Sequence, residues 1–89
     1  MTHFIYILEC CDQSWYTGYT NDFNRRLKMH EEGKGAKYTR GRGPFVVKHL
    51  ERYETKTAAL QAEYAIKRLT RKQKERYVLE KGEKNEATS

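Results

Sequence analysis

Three short apolar stretches, separated by polar turn residues, predict three β-strands. Residues 4–10 (FIYILEC) are rich in β-branched and aromatic side chains, and residues 15–19 (WYTGY) have the same character after the turn formers at 11–14. These two stretches therefore predict a β-hairpin. Residues 45–53 (FVVKHLERY) resume the strand pattern, and Pro44 stands at its entrance, where proline is tolerated.

A first helix is predicted directly after the hairpin. Asn21 or Asp22 is a suitable N-cap for about ten helical residues, and Gly33 is a natural end. Residues 33–44 (GKGAKYTRGRGP) contain four glycines, the only proline and four cations. This composition predicts a loop that is too flexible for regular structure.

Two more helices are predicted after the third strand. Thr55 or Thr57 can cap a helix that ends near Leu69. Residues 70–73 (TRKQ) match a capping box, in which a threonine and a glutamine bond each other's backbone, so a third helix should begin there. We expect this helix to end before Gly82.

The order β-β-α-β-α-α predicts an α+β fold: a small three-stranded antiparallel β-sheet flanked by helices. The 89 residues suit a single domain, covering 1–81, with a flexible C-terminal tail at 82–89. Hydrophobic residues make up 37% of the chain and aromatic residues 12%, which is enough for one modest core.

The chain is basic, with 18 Lys and Arg against 12 Asp and Glu and a formal net charge of +6. This favours a polyanionic partner, nucleic acid before an anionic membrane surface, and a merely soluble basic surface is the alternative. No apolar run approaches the roughly 20 residues of a membrane span, and a secretory signal pattern is missing. Cys10 and Cys11 are adjacent, which suits neither a relaxed disulfide nor a zinc site. We expect a reduced, cytoplasmic protein without a membrane partner.

Polar side chains interrupt the apolar faces of the first two helices. Phe23, Leu27 and His30 follow helical spacing, and Arg26 lies on their face one turn before His30. Glu63 falls in the apolar stripe of the second helix in the same way. Since burying a lone charge is costly, each of these groups needs a solvated cleft, a partner or a metal, and an ordinary ion pair is the alternative for Glu63. If both helices pack on one sheet, the three polar groups can converge.

The strands add two tyrosines to this set. Period-2 alternation places Tyr6 on the same strand face as Phe4 and Leu8, and it places Tyr16 on the same face as Gly18. Both tyrosines are also compatible with an ordinary core role. Gly18 indicates a bulge or a close approach of the backbone beside a ligand.

The spacing of these residues resembles the GIY-YIG endonuclease superfamily, above all its small single-domain bacterial members. Ile5-Tyr6 is followed after nine residues by Tyr16-Thr17-Gly18, and then by an arginine and a glutamate on later helices. The similarity covers roughly residues 4–81, and the nuclease domains of UvrC and of Slx-type proteins are more distant relatives. The resemblance assigns the motif positions to Tyr6, Tyr16, Gly18 and Arg26, the histidine of some members to His30, and the metal-binding glutamate to Glu63.

The sequence departs from the family pattern at three points. Phe4 stands where the first motif has glycine, and Thr17 replaces the isoleucine of the second. The asparagine that some members have after the metal glutamate has no match. No targeting module is recognisable, so a protein partner for targeting is a further expectation.

The resemblance implies a metal-dependent DNA endonuclease that hydrolyses phosphodiester bonds, in repair or recombination. Glu63 would hold one Mg²⁺ or Mn²⁺. Tyr6, or a metal-bound water in contact with it, would supply the base, and its pKa would have to be lowered by the metal or by Arg26. Arg26 suits the phosphate oxygens, and Tyr16 would orient water or phosphate. His30 would relay a proton, or else simply bond to the sheet.

Two basic segments are candidates for DNA contacts. The glycine-rich loop combines cations with an aromatic ring, which suits phosphates and stacked bases, although a solvated loop is the alternative. Its residues are Lys34, Lys37, Tyr38, Arg40 and Arg42. The second run surrounds the junction of the last two helices, where a solvated helix face is the preferred interpretation; it comprises Arg68, Arg71, Lys72, Lys74 and Arg76.

Two other functional classes fit the same residues. A non-catalytic nucleic-acid-binding module would keep the fold and the basic surface, and a protein-interaction adaptor would need neither DNA binding nor cleavage. For the nuclease, the expected partner is DNA, including branched or single-stranded forms. The nuclease hypothesis requires Tyr6, Tyr16, Arg26 and Glu63 to line one concave surface that solvent can reach.

Overall fold

The computed structural model describes the backbone of residues 2–88 and the side chains of residues 2–81. Over this part of the chain, three strands and three α-helices follow the predicted order β-β-α-β-α-α. The elements are β1 (His3–Glu9), β2 (Trp15–Thr20), α1 (Phe23–Glu31), β3 (Val46–Tyr53), α2 (Lys56–Lys67) and α3 (Arg71–Thr88). The predicted fold class is confirmed.

The sheet has β1 at its centre and the order β2-β1-β3, with both pairings antiparallel. Tyr6 lies opposite Gly18, and Leu8 lies opposite Tyr16. The register between β1 and β3 shifts at Ile7. Because β1 has a neighbour on each side, its residues 5–8 are at most 1% exposed.

The helices cover both faces of the sheet. Ile5 and Ile7 point to one face, where they form the core with Ala59 and Ile66 of α2. Tyr77 of α3 packs against the same core. Alternation places Tyr6 on the opposite face, and its ring lies 5.5 Å from the Phe23 ring and 5.7 Å from the His30 ring, both on α1. Thus α1 and α2 lie on opposite sides of one sheet.

The helix ends follow from local chemistry. Asp22 caps α1 by accepting a hydrogen bond from the Arg25 backbone N–H at 3.2 Å. Gly33 has a φ of 76°, and its N–H donates to the His30 carbonyl in a Schellman motif.

Thr55 caps α2, which ends at Lys67, two residues before the predicted position. Thr70 and Gln73 form the predicted capping box, with bonds of 2.9 and 3.2 Å.

The prediction that residues 33–44 lack regular structure is wrong for residues 37–39. Residues Lys37–Thr39 form a 3₁₀-helix, and Thr39 is buried. Arg42 fixes the end of the segment, because its carbonyl accepts from the Cys11 N–H at 2.7 Å and its guanidinium pairs with Asp12. These partners are distant in sequence, so the composition of the segment alone does not indicate them.

The predicted end of α3 before Gly82 is also wrong, since the helix continues to Thr88. A glycine inside a helix costs only about 1 kcal/mol relative to alanine and does not have to end it. The flexibility of residues 82–89 stays a prediction, because Ser89 and the side chains of 82–88 lie outside the described part. Within residues 2–88, no helix is both long enough and apolar enough to cross a membrane.

Candidate active site

Gly18 lets the Tyr6 ring lie across β2. A Cβ atom at position 18 would stand 2.5 Å from both Cζ and Oη of Tyr6, and 2.9 Å from Cε2 of Tyr16. No real Cβ makes such contacts, so this position of the phenol ring requires glycine. Gly18 is itself buried. The close approach that its presence indicated therefore involves two tyrosine side chains.

His30 connects the Tyr6 hydroxyl to the 3₁₀-helix. Its Nε2 lies 2.8 Å from Tyr6 Oη, and its Nδ1 lies 2.8 Å from Thr39 Oγ1. The Thr39 hydroxyl donates to the Ala36 carbonyl at 2.9 Å. A hydroxyl has one proton, so Thr39 must accept from His30 Nδ1–H. Nε2 is then the acceptor, and Tyr6 donates to it. The hydrogen bonds fix the tautomer of the imidazole and the direction in which the phenol proton points.

The imidazole of His30 is surrounded by other side chains and by the loop backbone. His30 is 1% exposed, and a Cβ at Gly35 would stand 2.3 Å from its Nδ1. The rings of Tyr16 and Phe45 meet it edge-on at 5.4 and 6.0 Å. Burial, and then the positive charge of Arg26, lower the pKa of His30. The ring is therefore neutral at pH 7, as the acceptor role of Nε2 requires.

Tyr6 is held in its protonated form. Burial is the main cause that raises its pKa, and the neighbouring Tyr16 and Glu63 raise it further. The charge of Arg26 acts in the opposite direction but does not outweigh burial. Without a metal, the pKa of Tyr6 is therefore raised overall, and Arg26 does not produce the lowering that the resemblance required. Tyr6 is 1% exposed, so it does not meet the requirement for a surface that solvent can reach.

Arg26 and Tyr16 are the parts of the cluster nearest the surface. Arg26 is half-buried and lines a cleft of about 240 Å³ at the start of α1, together with Asp22 and Met29. Among the side chains of residues 2–81, no carboxylate lies within ion-pair distance of its guanidinium. Tyr16 is half-buried and lines a separate groove on the β2 side. An unpaired guanidinium in a cleft is suited to binding an anion.

Glu63 reaches the cluster from the opposite face of the sheet. It lies on α2 with its side chain 18% exposed, and its Oε2 is 3.3 Å from Lys67 Nζ. Its negative charge is one of the causes that raise the pKa of Tyr6, so the carboxylate lies in electrostatic range of that hydroxyl. Since α1 and α2 cover different faces of the sheet, Glu63 lies on the side opposite Arg26 and His30.

The donor set around Glu63 limits the kind of metal ion that fits. Within the described residues, no three His, Cys, Asp or Glu side chains form a group that could hold a metal. This rules out a site for zinc of the usual type there, which needs three or four such ligands. Mg²⁺ or Mn²⁺ bound through one carboxylate, with water and phosphate as the other ligands, fits. Glu63 would be the residue that holds it.

The predicted DNA-binding residues of the loop divide into two groups. Tyr38 stacks on Tyr16 with ring centroids 6.0 Å apart, and the guanidinium of Arg42 lies 4.7 Å from the Tyr38 ring. Arg42 also pairs with Asp12. Tyr38 and Arg42 therefore fix the loop in place. The others are exposed and are not paired with any carboxylate in the described side chains: Lys34, Lys37 and Arg40.

Two residues of this site, Gly35 and Thr39, were not among the sequence-based candidates. Both lie in the segment predicted to be flexible. A buried histidine needs a partner for each ring nitrogen, and a hydroxyl in the segment after α1 is the nearest source of one. That requirement is the signal from which Thr39 could have been found. Gly35 has no comparable signal, because its contact with His30 depends on the folded loop.

The antiparallel sheet, with helices on both of its faces, and the polar cluster around His30 define a small α+β domain. The GIY-YIG catalytic domain matches residues 2–77, and the chain belongs to this family. The resemblance noted from the two tyrosine motifs is confirmed.

Similar proteins cover nearly the whole chain. The UPF0213 protein YazA of Bacillus subtilis is 53% identical over 85 residues, 96% of this chain and 86% of that protein. A UPF0213 protein of Bacillus velezensis is 58% identical over 86 residues, 97% of this chain and 87% of that protein. The solution NMR structure of the UPF0213 protein BH0048 from Bacillus halodurans is 53% identical, has a TM-score of 0.64, and matches over 100% of this chain and 95% of that one.

Proposed function

We propose that the protein is a metal-dependent endonuclease that hydrolyses phosphodiester bonds of DNA. The observation that supports this most strongly is the directed hydrogen-bond chain from Tyr6 through His30 to Thr39, beside the unpaired guanidinium of Arg26. A neutral imidazole aligned to accept a phenol proton is an arrangement for proton transfer. Membership of the GIY-YIG catalytic domain family supports the same reaction class.

In this proposal Arg26 binds the phosphate. Its planar guanidinium donates two parallel hydrogen bonds to the non-bridging oxygens and stabilises the charge that grows there during attack. Tyr16 orients the phosphate or the attacking water with its hydroxyl. A divalent cation on Glu63 supplies further charge neutralisation at the phosphate when it is bound.

Tyr6 and His30 act together as the base. As water attacks phosphorus, its proton passes to Tyr6 Oη, and the phenol proton passes to His30 Nε2. The P–O bond to the leaving sugar oxygen breaks, and this oxygen takes its proton from solvent. The imidazolium that forms keeps its Nδ1–H bond to Thr39, which in turn remains bonded to the Ala36 carbonyl. This pair removes the need for a free phenolate, which the raised pKa of Tyr6 makes unfavourable. Because Tyr6 is buried, Tyr16 or Arg26 must shift on substrate binding to admit the water.

A cleavage screen tests the proposal. The substrates are supercoiled plasmid, duplex, flap, junction and single-stranded DNA, each with Mg²⁺, with Mn²⁺ and with a chelator. We expect cleavage with either metal and none with the chelator. Glu63→Gln should abolish it, whereas Glu80→Gln, which changes an exposed glutamate on α3, should not. Salt-dependent binding of DNA without cleavage of any substrate would instead identify a non-catalytic binding module.

The cellular role stays a prediction from the family resemblance. It comprises DNA repair or recombination, a cytoplasmic location, and a protein partner that directs the nuclease to its DNA. The cleavage screen bears on the first point, since preference for a flap or a junction is typical of enzymes that act on repair or recombination intermediates.

A further inference from the structure

A second groove is lined by Tyr16 but not by His30. It has a volume of about 230 Å³, and no acidic side chain lines it. Two helices contribute cations, β2 contributes one wall, and the 3₁₀-helix contributes an aromatic ring. The lining residues are Trp15, Tyr16, Thr17, Tyr38, Lys67 and Lys74.

Lys74 is the cation in this groove that lacks an anionic partner. It is half-buried, and within residues 2–81 no carboxylate lies within 4 Å of its Nζ. Lys67 pairs with Glu63, and the nearby Arg71 pairs with Glu75 at 3.1 Å. Burial, and then the charges of Arg71 and Lys67, lower the pKa of Lys74. A half-buried ammonium among other cations is unfavourable alone and is stabilised by a bound anion.

The groove also offers aromatic surface beside this charge. The Tyr38 ring, stacked on Tyr16, is part of an exposed side chain. Cations that alternate with aromatic rings suit a nucleic-acid strand, because phosphates bind the cations while sugars and bases contact the rings. Tyr16 belongs both to this groove and to the cluster around His30, so one strand can occupy both places.

We propose that Lys74, supported by Lys67, binds a backbone phosphate of the DNA strand adjacent to the phosphate that Arg26 binds. The proposal rests on the proposed function, because it takes the strand at Arg26 as given. It assigns a binding role to one residue of the basic run for which a solvated helix face was the preferred interpretation. Lys72, two residues earlier, is exposed and does not line the groove, so it serves as the matched control.

The test measures binding of a labelled oligonucleotide by fluorescence anisotropy in chelator, across a series of salt concentrations. Lys74→Gln should weaken binding roughly five- to tenfold at low salt and reduce the salt slope by about 0.7 to 0.9, the loss expected for one phosphate contact. Lys74→Arg should retain binding, and Lys72→Gln should leave the slope unchanged. Thermal unfolding of each variant checks that the fold is intact, and the Arg variant tests the charge even if the Gln variant unfolds.

The outcomes separate this proposal from the proposed function. If Lys74→Gln and Lys72→Gln weaken DNA binding equally while the wild-type protein cleaves DNA, the phosphate site is overturned and the nuclease proposal stands. If the salt slope of DNA binding depends on Lys74 but the wild-type protein cleaves no substrate, the phosphate site is supported and the nuclease proposal is overturned. A wild-type protein that does not bind DNA would overturn both.

Discussion

At the scale of single residues, His30 is bonded to the sheet, which is one of the two roles that the sequence left open. One alternative was a proton relay, and the other was a helix histidine bonded to the sheet. The group of the sheet to which it bonds is the hydroxyl of Tyr6, the proposed base. In the proposed mechanism this structural bond is also the path of the proton, and Thr39 determines the direction of the bond.

Thr39 is a positioning residue, and its removal should affect turnover more than binding. In Thr39→Val, His30 Nδ1–H has no acceptor, so we expect a loss of about 1–3 kcal/mol in stability. The other tautomer becomes accessible, and kcat should fall about tenfold or more with little change in KM.

The measurements are steady-state cleavage and denaturant unfolding of the same variant. Thr39→Ser, which keeps the hydroxyl, should restore both activity and stability. Thr57→Val, at an exposed threonine of α2, is the matched control. Wild-type kcat in Thr39→Val would show that the tautomer of His30 does not matter.

The lowered pKa of His30 predicts a pH dependence of stability. The unfolded chain binds the proton near its ordinary pKa of about 6.5, and the folded protein binds it only at lower pH. The unfolded state thus holds more protons between these two values, so stability is complete above about 6.5 and falls as the pH decreases through that window.

Urea unfolding of the wild type and of His30→Gln across pH 5 to 8 checks this dependence. The difference in unfolding free energy between the two should decrease towards acid pH. The pKa values of Asp12 and Glu51 are lowered from ordinary values of 3.8 and 4.5, so these carboxyls titrate below the window. A difference that is constant with pH would contradict a buried, neutral His30.

At the scale of elements, local signals were sufficient for most boundaries. The helix caps bond to backbone groups three residues away, so the sequence pattern that predicts each cap is also what forms it. These caps are Asp22, Thr55 and the Thr70–Gln73 box. The segment 33–44 was mispredicted because its order comes from His30 and Asp12, which are outside it. The continuation of α3 past Gly82 was missed because glycine permits a helix end without requiring one.

The position of the Tyr6 ring over β2 depends on the absence of a side chain at position 18. Gly18→Ala would place a Cβ atom 2.5 Å from the Tyr6 ring, which must then move away from His30. We expect a loss of about 1–3 kcal/mol in stability and a loss of most cleavage activity. Thermal unfolding and the cleavage assay measure the two effects.

Gly43→Ala is the control for this change. Its Cβ would stand 3.5 Å from the Phe45 ring, an ordinary contact, so stability and activity should change little. If Gly18→Ala were as stable and as active as Gly43→Ala, the close packing of Tyr6 over β2 would not be needed for the site.

At the scale of the whole molecule, the net charge is +6, and only some of the cations are paired with carboxylates. Several cations near the hairpin and α3 have carboxylate partners: Arg42, Arg71 and Lys81 pair with Asp12, Glu75 and Glu51. Arg26 and Lys74 do not have such partners in the described part of the chain. These two cations are the ones to which the proposals above assign DNA phosphates.

The two faces of the sheet explain how so small a domain forms this site. α1 brings Arg26 and His30 to one face, and α2 carries Glu63 on the other. The sequence indicated which polar residues interrupt apolar faces, but it did not indicate that they come from opposite sides. That arrangement depends on the packing of Ile5 and Ile7 against α2.

The central claim, that Tyr6 and His30 form the base, is tested most directly by single-turnover cleavage with Tyr6→Phe. This change removes one hydroxyl and keeps the ring that packs over Gly18. We predict a cleavage rate lower by about 10²- to 10⁴-fold, with unchanged DNA binding, while Tyr64→Phe, at an exposed tyrosine, retains the wild-type rate. A Tyr6→Phe variant that cleaves DNA at the wild-type rate would contradict the account.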